Sequence, residues 1–187
     1  MSLGSTVRTV ALRLIELLER DAVPYAVMGG LAVPIWGIPR ATFDVDVTLA
    51  VDEDGLRRFL DRASEGGFTV DETFRKGFRD VVSGMDKVRL DWWTEDSRRV
   101  EVDLFVVSTP YQAAALERRV QVRIEDRSMW VLSAADLILH KLVADRSKDR
   151  ADVESILLVQ GVPDEAYLRL WAGRLGVLER LDRAIGT

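Results

Sequence analysis

The strongest constraint on this 187-residue chain lies between residues 25 and 51. An apolar run, Tyr25-Ala-Val-Met28, stops at the glycine pair Gly29-Gly30. Further on, Arg40, Thr42, Asp44 and Asp46 alternate with small or apolar residues. In an extended strand successive side chains point to opposite faces. Asp44 and Asp46 therefore share one face, and Phe43, Val45 and Val47 take the other. Two carboxylates held side by side repel each other. A chain has reason to keep such a pair where a cation sits between them.

The surrounding pattern reads as a mixed sheet with helices. Val7, Val10, Leu14, Leu17 and Leu18 recur at helical spacing and predict an amphipathic helix over residues 6–21. An apolar strand covers 25–28. A short helix covers 31–36, with Pro34 in an early turn, where backbone N–H groups have no helical partner. The strand bearing the paired acids covers 42–51. Acids at 52–54 cap a helix over 55–63. Residues 68–84 carry mixed charge and scattered aromatics, and a short strand or helix plus loop is expected there. Strands over 87–93 and 99–107 are joined by a polar turn. A helix over 110–118 follows, then a strand pair over 120–124 and 129–132 with 125–128 as its turn. Helices starting at 134, 147, 163 and 177 complete the chain. Trp92 and Trp93 alternate faces, so one is core, and Trp36, Trp130 and Trp171 read as core. The expected class is α+β, a mixed β-sheet flanked by helices with a helical C-terminal part.

Charge and composition narrow the function. The formal net charge is -5, with a pI of about 5.1, which argues against a broad non-specific grip on nucleic acid. There are no cysteines, so disulfides and thiolate zinc sites are excluded. The single histidine, His140, cannot build a multi-histidine metal site and reads as structural. No apolar run approaches the roughly 20 residues of a membrane span. The N-terminus lacks the order of a signal peptide, and a cytoplasmic location is expected.

The chemistry rests on a third acid. In the strand over 99–107, Glu101 and Asp103 share a face, and Asp103 can lie beside Asp44 and Asp46 in one sheet. Three converging carboxylates make a hard, all-oxygen site suited to Mg2+ or Mn2+. Two such ions about 3.5–4 Å apart can clamp the attacking and leaving oxygens of a phosphoryl or nucleotidyl transfer. The third carboxylate can also help remove a proton from an acceptor hydroxyl. A glycine pair between a strand and a helix N-terminus lets backbone approach a phosphate. Taken singly, strand acids are usually solvated and glycine pairs are usually turns. Their order along the chain carries the argument. Lys141 sits among apolar residues of its helix and needs a partner, for which a triphosphate, Asp149 or Asp152 would serve. Asp149 and Asp152 lie one helical turn apart.

These motifs match a known pattern. Val27-Met28-Gly29-Gly30-Leu31-Ala32, then Arg40-Ala-Thr42-Phe-Asp44-Val-Asp46-Val, then Val102-Asp103-Leu104 resembles the DNA polymerase β-like nucleotidyltransferase superfamily. Within it, Lys141-Leu-Val-Ala144 and Lys148-Asp149-Arg-Ala-Asp152 resemble the AbiEii- and MenT-type enzymes, which include toxins of toxin–antitoxin systems. The resemblance covers roughly residues 21–158. It implies a nucleotidyltransferase fold with a catalytic core over 1–132 and a helical subdomain over 133–187 that completes the nucleotide pocket. It implies metal binding and catalysis by Asp44, Asp46 and Asp103. It implies nucleotide binding by Gly29, Gly30, Arg40, Thr42, Lys141, Asp149 and Asp152. Two positions depart from the pattern: Leu31 stands where some relatives offer a serine, and Lys148 replaces an arginine.

The function expected is metal-dependent transfer of an NMP from an NTP to an acceptor hydroxyl. The resemblance implies a tRNA 3′ end or a protein side chain as acceptor, an antitoxin partner, and ATP among the donors. The alternatives are an antibiotic-modifying adenylyltransferase acting on a small molecule and a non-catalytic nucleotide-binding module. The acidic balance favours a small or cationic acceptor over RNA.

Overall fold

The computed structural model describes residues 3–76, 79–82, 84–124 and 127–186. The chain opens with helix α1 (Leu3–Arg20), strand β1 (Tyr25–Met28), helix α2 (Gly29–Trp36) and strand β2 (Asp44–Leu49). Helix α3 (Glu53–Glu65), β3 (Thr69–Val70), α4 (Glu72–Arg75) and β4 (Asp80–Val82) follow. Then come the long strands β5 (Met85–Trp93) and β6 (Arg99–Val106), helix α5 (Pro110–Glu117), and the hairpin strands β7 (Val120–Ile124) and β8 (Arg127–Val131). The chain closes with α6 (Ala134–Ala144), α7 (Ser147–Gln160), α8 (Glu165–Arg174) and α9 (Leu178–Ile185).

One mixed sheet organises these elements, with strand order β3-β5-β6-β2-β1-β8-β7 and β4 added beside β5. Strand β2 runs parallel to β6 and antiparallel to β1, and β1 runs parallel to β8. Alternation sends Val45, Val47, Val88, Leu90, Val102 and Leu104 to one face, against α1 and α3. Ala26, Met28 and Phe105 go to the other face, with Ala32, Val33, Leu137 and Ile138 of α2 and α6. The polar residues of the strands on this second face are the ones that build the site.

Several local expectations shift. Helix α2 takes in the glycine pair as its first turn instead of starting at residue 31. Residues 68–84 hold two short strands and one turn of helix, and 77, 78 and 83 of that stretch lie outside the described residues. Strand β8 begins at Arg127 because its register pairs Ile124 with Arg127, which shortens the expected turn. Residues 125 and 126 of that turn lie outside the described residues. Helix α8 starts two residues after Pro163, capped by the Asp164 carboxylate on the Tyr167 N–H. Trp92 packs edge-on against Phe68 while Trp93 stays exposed, as alternation requires. Trp36, Trp130 and Trp171 are half-buried rather than enclosed.

Ser133 caps α6 by accepting the Asp136 N–H, but its hydroxyl donates to the Asp136 carboxylate at 2.6 Å in place of the reciprocal backbone contact of a capping box. Asp136 is fully buried and also accepts the Tyr167 hydroxyl at 2.7 Å, which ties α6 to α8. Burial pushes its carboxyl up, and the two hydroxyl donors oppose that. Tyr167→Phe keeps the ring against Trp171 but removes one donor from a buried carboxyl. The expected cost is about 1–3 kcal/mol, read as a lower urea midpoint with unchanged slope. An unchanged midpoint would show that this bond does not hold α8 in place.

Candidate active site

The parallel register of β2 on β6 sets Asp46 opposite Asp103, and the antiparallel register of β1 sets Met28 opposite Asp46. Asp44, Asp46 and Asp103 consequently line one cleft, together with Gly29, Lys141, Arg146 and Asp149. Asp44 accepts the Thr42 hydroxyl at 2.7 Å. Burial, then the Asp44 and Asp103 carboxylates, push the Asp46 carboxyl up to about 6. Asp103 accepts Arg89 Nε at 2.8 Å and Nη2 at 3.2 Å, and Lys87 Nζ at 3.1 Å.

The glycine pair is packed against this acid strand. Gly29 has φ +61°, and a Cβ there would stand 1.8 Å from Asp46 Oδ2. A Cβ at Gly30 would stand 2.2 Å from the Thr42 hydroxyl. Both distances are below any real contact, so the first turn of α2 reaches Asp46 and Thr42 only because neither glycine has a side chain.

The helical side contributes a buried charge network. Lys141 Nζ lies 3.1 Å from Asp149 Oδ1 and 2.8 Å from Asp152 Oδ2. Arg146 Nε reaches Asp149 at 2.6 Å. Arg40 grips Asp152 with two bonds of 2.6 and 2.7 Å, joining the loop before β2 to α7. Burial alone would raise both carboxyls, but Arg146 and Lys141 hold Asp149 below the usual range, and Arg40 and Lys141 do the same for Asp152. Of the partners expected for Lys141, both acids meet it at once. His140 is buried beside the Tyr111 ring, and burial, then the Lys141 charge, push its imidazole down to about 4. It is neutral at pH 7.

All the residues singled out in the sequence thus meet around one cleft or in the ion network beside it. Lys87 and Arg89 were missed. Their signal was present, since Lys87, Arg89 and Asp91 alternate on one strand face as Asp44 and Asp46 do, but only the pairing of β5 with β6 puts Arg89 opposite Asp103. Among the described residues, no three acidic or histidine side chains are arranged to hold a metal. The chemistry of Asp44 and Asp46 nevertheless fits one. They are hard oxygen donors on one strand face, with the Asp103 carboxylate set opposite Asp46 on the next strand.

A sequence family described as a nucleotidyltransferase of unknown function, DUF6036, matches residues 7–169. The chain belongs to this family. No curated protein sequence matches it significantly. The fold of this nucleotidyltransferase is similar to the solution structure of the antibiotic-resistance factor ANT(2″)-Ia, with a TM-score of 0.57 at 13% identity over 96% of this chain and 98% of that one. It is also similar to the lincosamide antibiotic adenylyltransferase LnuA with lincomycin bound, with a TM-score of 0.53 at 14% identity over 81% and 95%. An antigenic nucleotidyltransferase-like protein from Paracoccidioides brasiliensis gives a TM-score of 0.53 at 19% identity over 98% and 92%. At these identities the likeness is one of fold. Among the described residues, no helix of this nucleotidyltransferase is long and apolar enough to cross a membrane.

The Asp46 and His140 shifts oppose each other in pH. The Asp46 carboxyl, at about 6, lies above its unfolded value near 4, so its contribution is full below about pH 4 and lost as pH rises through 6. The His140 imidazole, at about 4, lies below its unfolded value near 6.5, so its contribution is full above about 6.5 and lost as pH falls through 4. Without metal, Asp46→Asn is expected to be more stable than wild type at pH 7.5, by up to about 3 kcal/mol, and to lose that advantage at pH 4. His140→Gln is penalised most at pH 7.5 and least at pH 4. Denaturant melts across that window check both trends, and a large loss for Asp46→Asn at pH 7.5 would contradict the repulsion between the acids.

Proposed function

We propose that this enzyme moves an NMP from an NTP to an acceptor hydroxyl and releases pyrophosphate. The observation that carries the reading is the half-buried Asp44–Asp46 pair, with Asp46 packed against the glycine turn and set opposite Asp103 in a parallel strand register. A divalent cation, Mg2+ or Mn2+, bound by Asp44 and Asp46 with Asp103 beside them, would offset phosphate charge and make the α-phosphorus more electrophilic. The backbone N–H groups of Gly29 and Gly30 open α2 toward the cleft and suit the β- and γ-phosphates. Lys141 supplies a phosphate-binding charge, and Asp149 and Asp152 hold its ammonium in place. Thr42 orients Asp44, and Arg40 ties Asp152 to the loop before β2. In this reading residues 1–132 form the catalytic core and the helices of 133–187 complete the nucleotide pocket. As the acceptor oxygen bonds to the α-phosphorus, the bond to pyrophosphate breaks. The hydroxyl proton passes to Asp103, late, once the new bond has made it acidic.

The resemblance to toxin-type enzymes favours a tRNA 3′ end or a protein side chain as acceptor, with an antitoxin as partner, in the cytoplasm. A second reading is a small hydroxylated acceptor, as in antibiotic adenylylation. One observation favours it. The site face of β2, β5 and β6 carries Asp44, Asp46, Asp91, Glu101 and Asp103 against Lys87, Arg89 and Arg99, an excess of negative charge that suits a cationic molecule better than RNA.

Incubation with α-labelled NTPs and Mg2+ separates the readings, using total tRNA, a cell lysate, or a panel of aminoglycosides and lincosamides as acceptor. Label is expected to reach one class, and Asp46→Asn is expected to cut the rate by at least about 100-fold. If label reaches none, and Asp44→Ala leaves nucleotide binding unchanged, the chain is a binding module and the enzymatic reading fails.

A further inference from the structure

Asp103 is already engaged by the chain's own cations. Arg89 Nε donates to Oδ1 at 2.8 Å and Arg89 Nη2 to Oδ2 at 3.2 Å, while Lys87 Nζ donates to Oδ2 at 3.1 Å. An ionised carboxylate has about four lone-pair positions. Three are filled, and the remaining one is on Oδ1. The arrangement is built in, because Arg89 stands directly across from Asp103 in the β5–β6 register, and Lys87 is buried, with an exposure of 6%. A buried ammonium is costly unless it is paired, so Lys87 is not free to leave Asp103 for solvent. Asp44 and Asp46 differ in kind. Asp44 accepts the neutral Thr42 hydroxyl, and Asp46 packs against the Gly29 turn.

This contrast bears on how many metal ions the site takes. A second divalent ion bridging Asp103 to the pair would sit within a few ångströms of the Arg89 and Lys87 charges and be repelled by both. Those two cations already supply the positive charge that such an ion would bring to the acceptor side. We propose that Lys87 and Arg89 are positioning residues that keep Asp103 off the metal, so that the enzyme works with one divalent cation, held by Asp44 and Asp46. The free position on Asp103 Oδ1 then faces the acceptor hydroxyl. This rests on the nucleotidyl-transfer reading above and specifies its metal count.

The test is a Mn2+ titration of the full chain, with bound ion counted by electron paramagnetic resonance. Wild type is expected to bind one Mn2+ per chain. Asp103→Asn is expected to keep that count, with a Kd within about twofold, and Asp46→Asn to lose binding. Arg89→Met, alone or with Lys87→Met, is expected to open a second Mn2+ site, and Arg89→Lys to keep the count at one. In label transfer, Arg89→Met is expected to lower kcat with little change in the KM for NTP, and Arg89→Lys to recover part of the loss. Circular dichroism checks that each variant folds, and the wild-type count stands even where Lys87→Met does not. Two ions in wild type, or a loss of more than about tenfold in affinity on Asp103→Asn, overturns the proposal while leaving nucleotidyl transfer intact. No Mn2+ bound by wild type at millimolar concentration sinks both.

Discussion

The parallel pairing of β2 with β6 is the constraint on which the rest of this structure depends. It brings two acid-bearing strands, far apart in sequence, into one row across the sheet, so that Asp46 faces Asp103. Their alternate residues, Val45, Val47, Val102 and Leu104, are buried beneath α1 and α3, which makes a slip of one residue prohibitive because it would exchange core for carboxylates. The position of the acids is therefore enforced by the hydrophobic effect acting on the opposite face. Electrostatics alone would drive the carboxylates apart.

That enforced proximity explains why so much charge is gathered nearby. Asp149 and Asp152 are buried and would be unstable without Lys141, Arg146 and Arg40 around them. Such pairs add little net stability compared with apolar packing, because the desolvation cost consumes most of the attraction. Their value is geometric. Arg40 and Asp152 join segments 112 positions apart, and Lys141 is held between two carboxylates at the floor of the cleft.

Much of this was legible in the sequence. Helical spacing located α1, an unbroken apolar run located β1, and alternation located β2, β5 and β6, because α1 and the alternating strands bury one face while β1 is buried on both. Asp44, Asp46 and the glycine pair were legible because their chemistry is unusual in so short a span. The rest depended on register. Nothing local says that Arg89 stands across from Asp103, or that Arg40 meets Asp152 in place of the neighbouring Asp149. The short strands around residues 68–84 were obscure because a two-residue strand has too few positions to show a period. The start of α2 was misplaced because glycine is a poor helix former, and here the close approach to Asp46 and Thr42 overrides that propensity.

The glycine turn also has a genetic consequence. Even one methyl group at position 29 or 30 would overlap the Asp46 or Thr42 side chain. Every missense change at these two adjacent codons therefore crowds Asp46 or Thr42, while changes at the exposed positions of the helices meet only solvent. Missense alleles that inactivate this gene should fall in that six-nucleotide window more often than its share of the coding length.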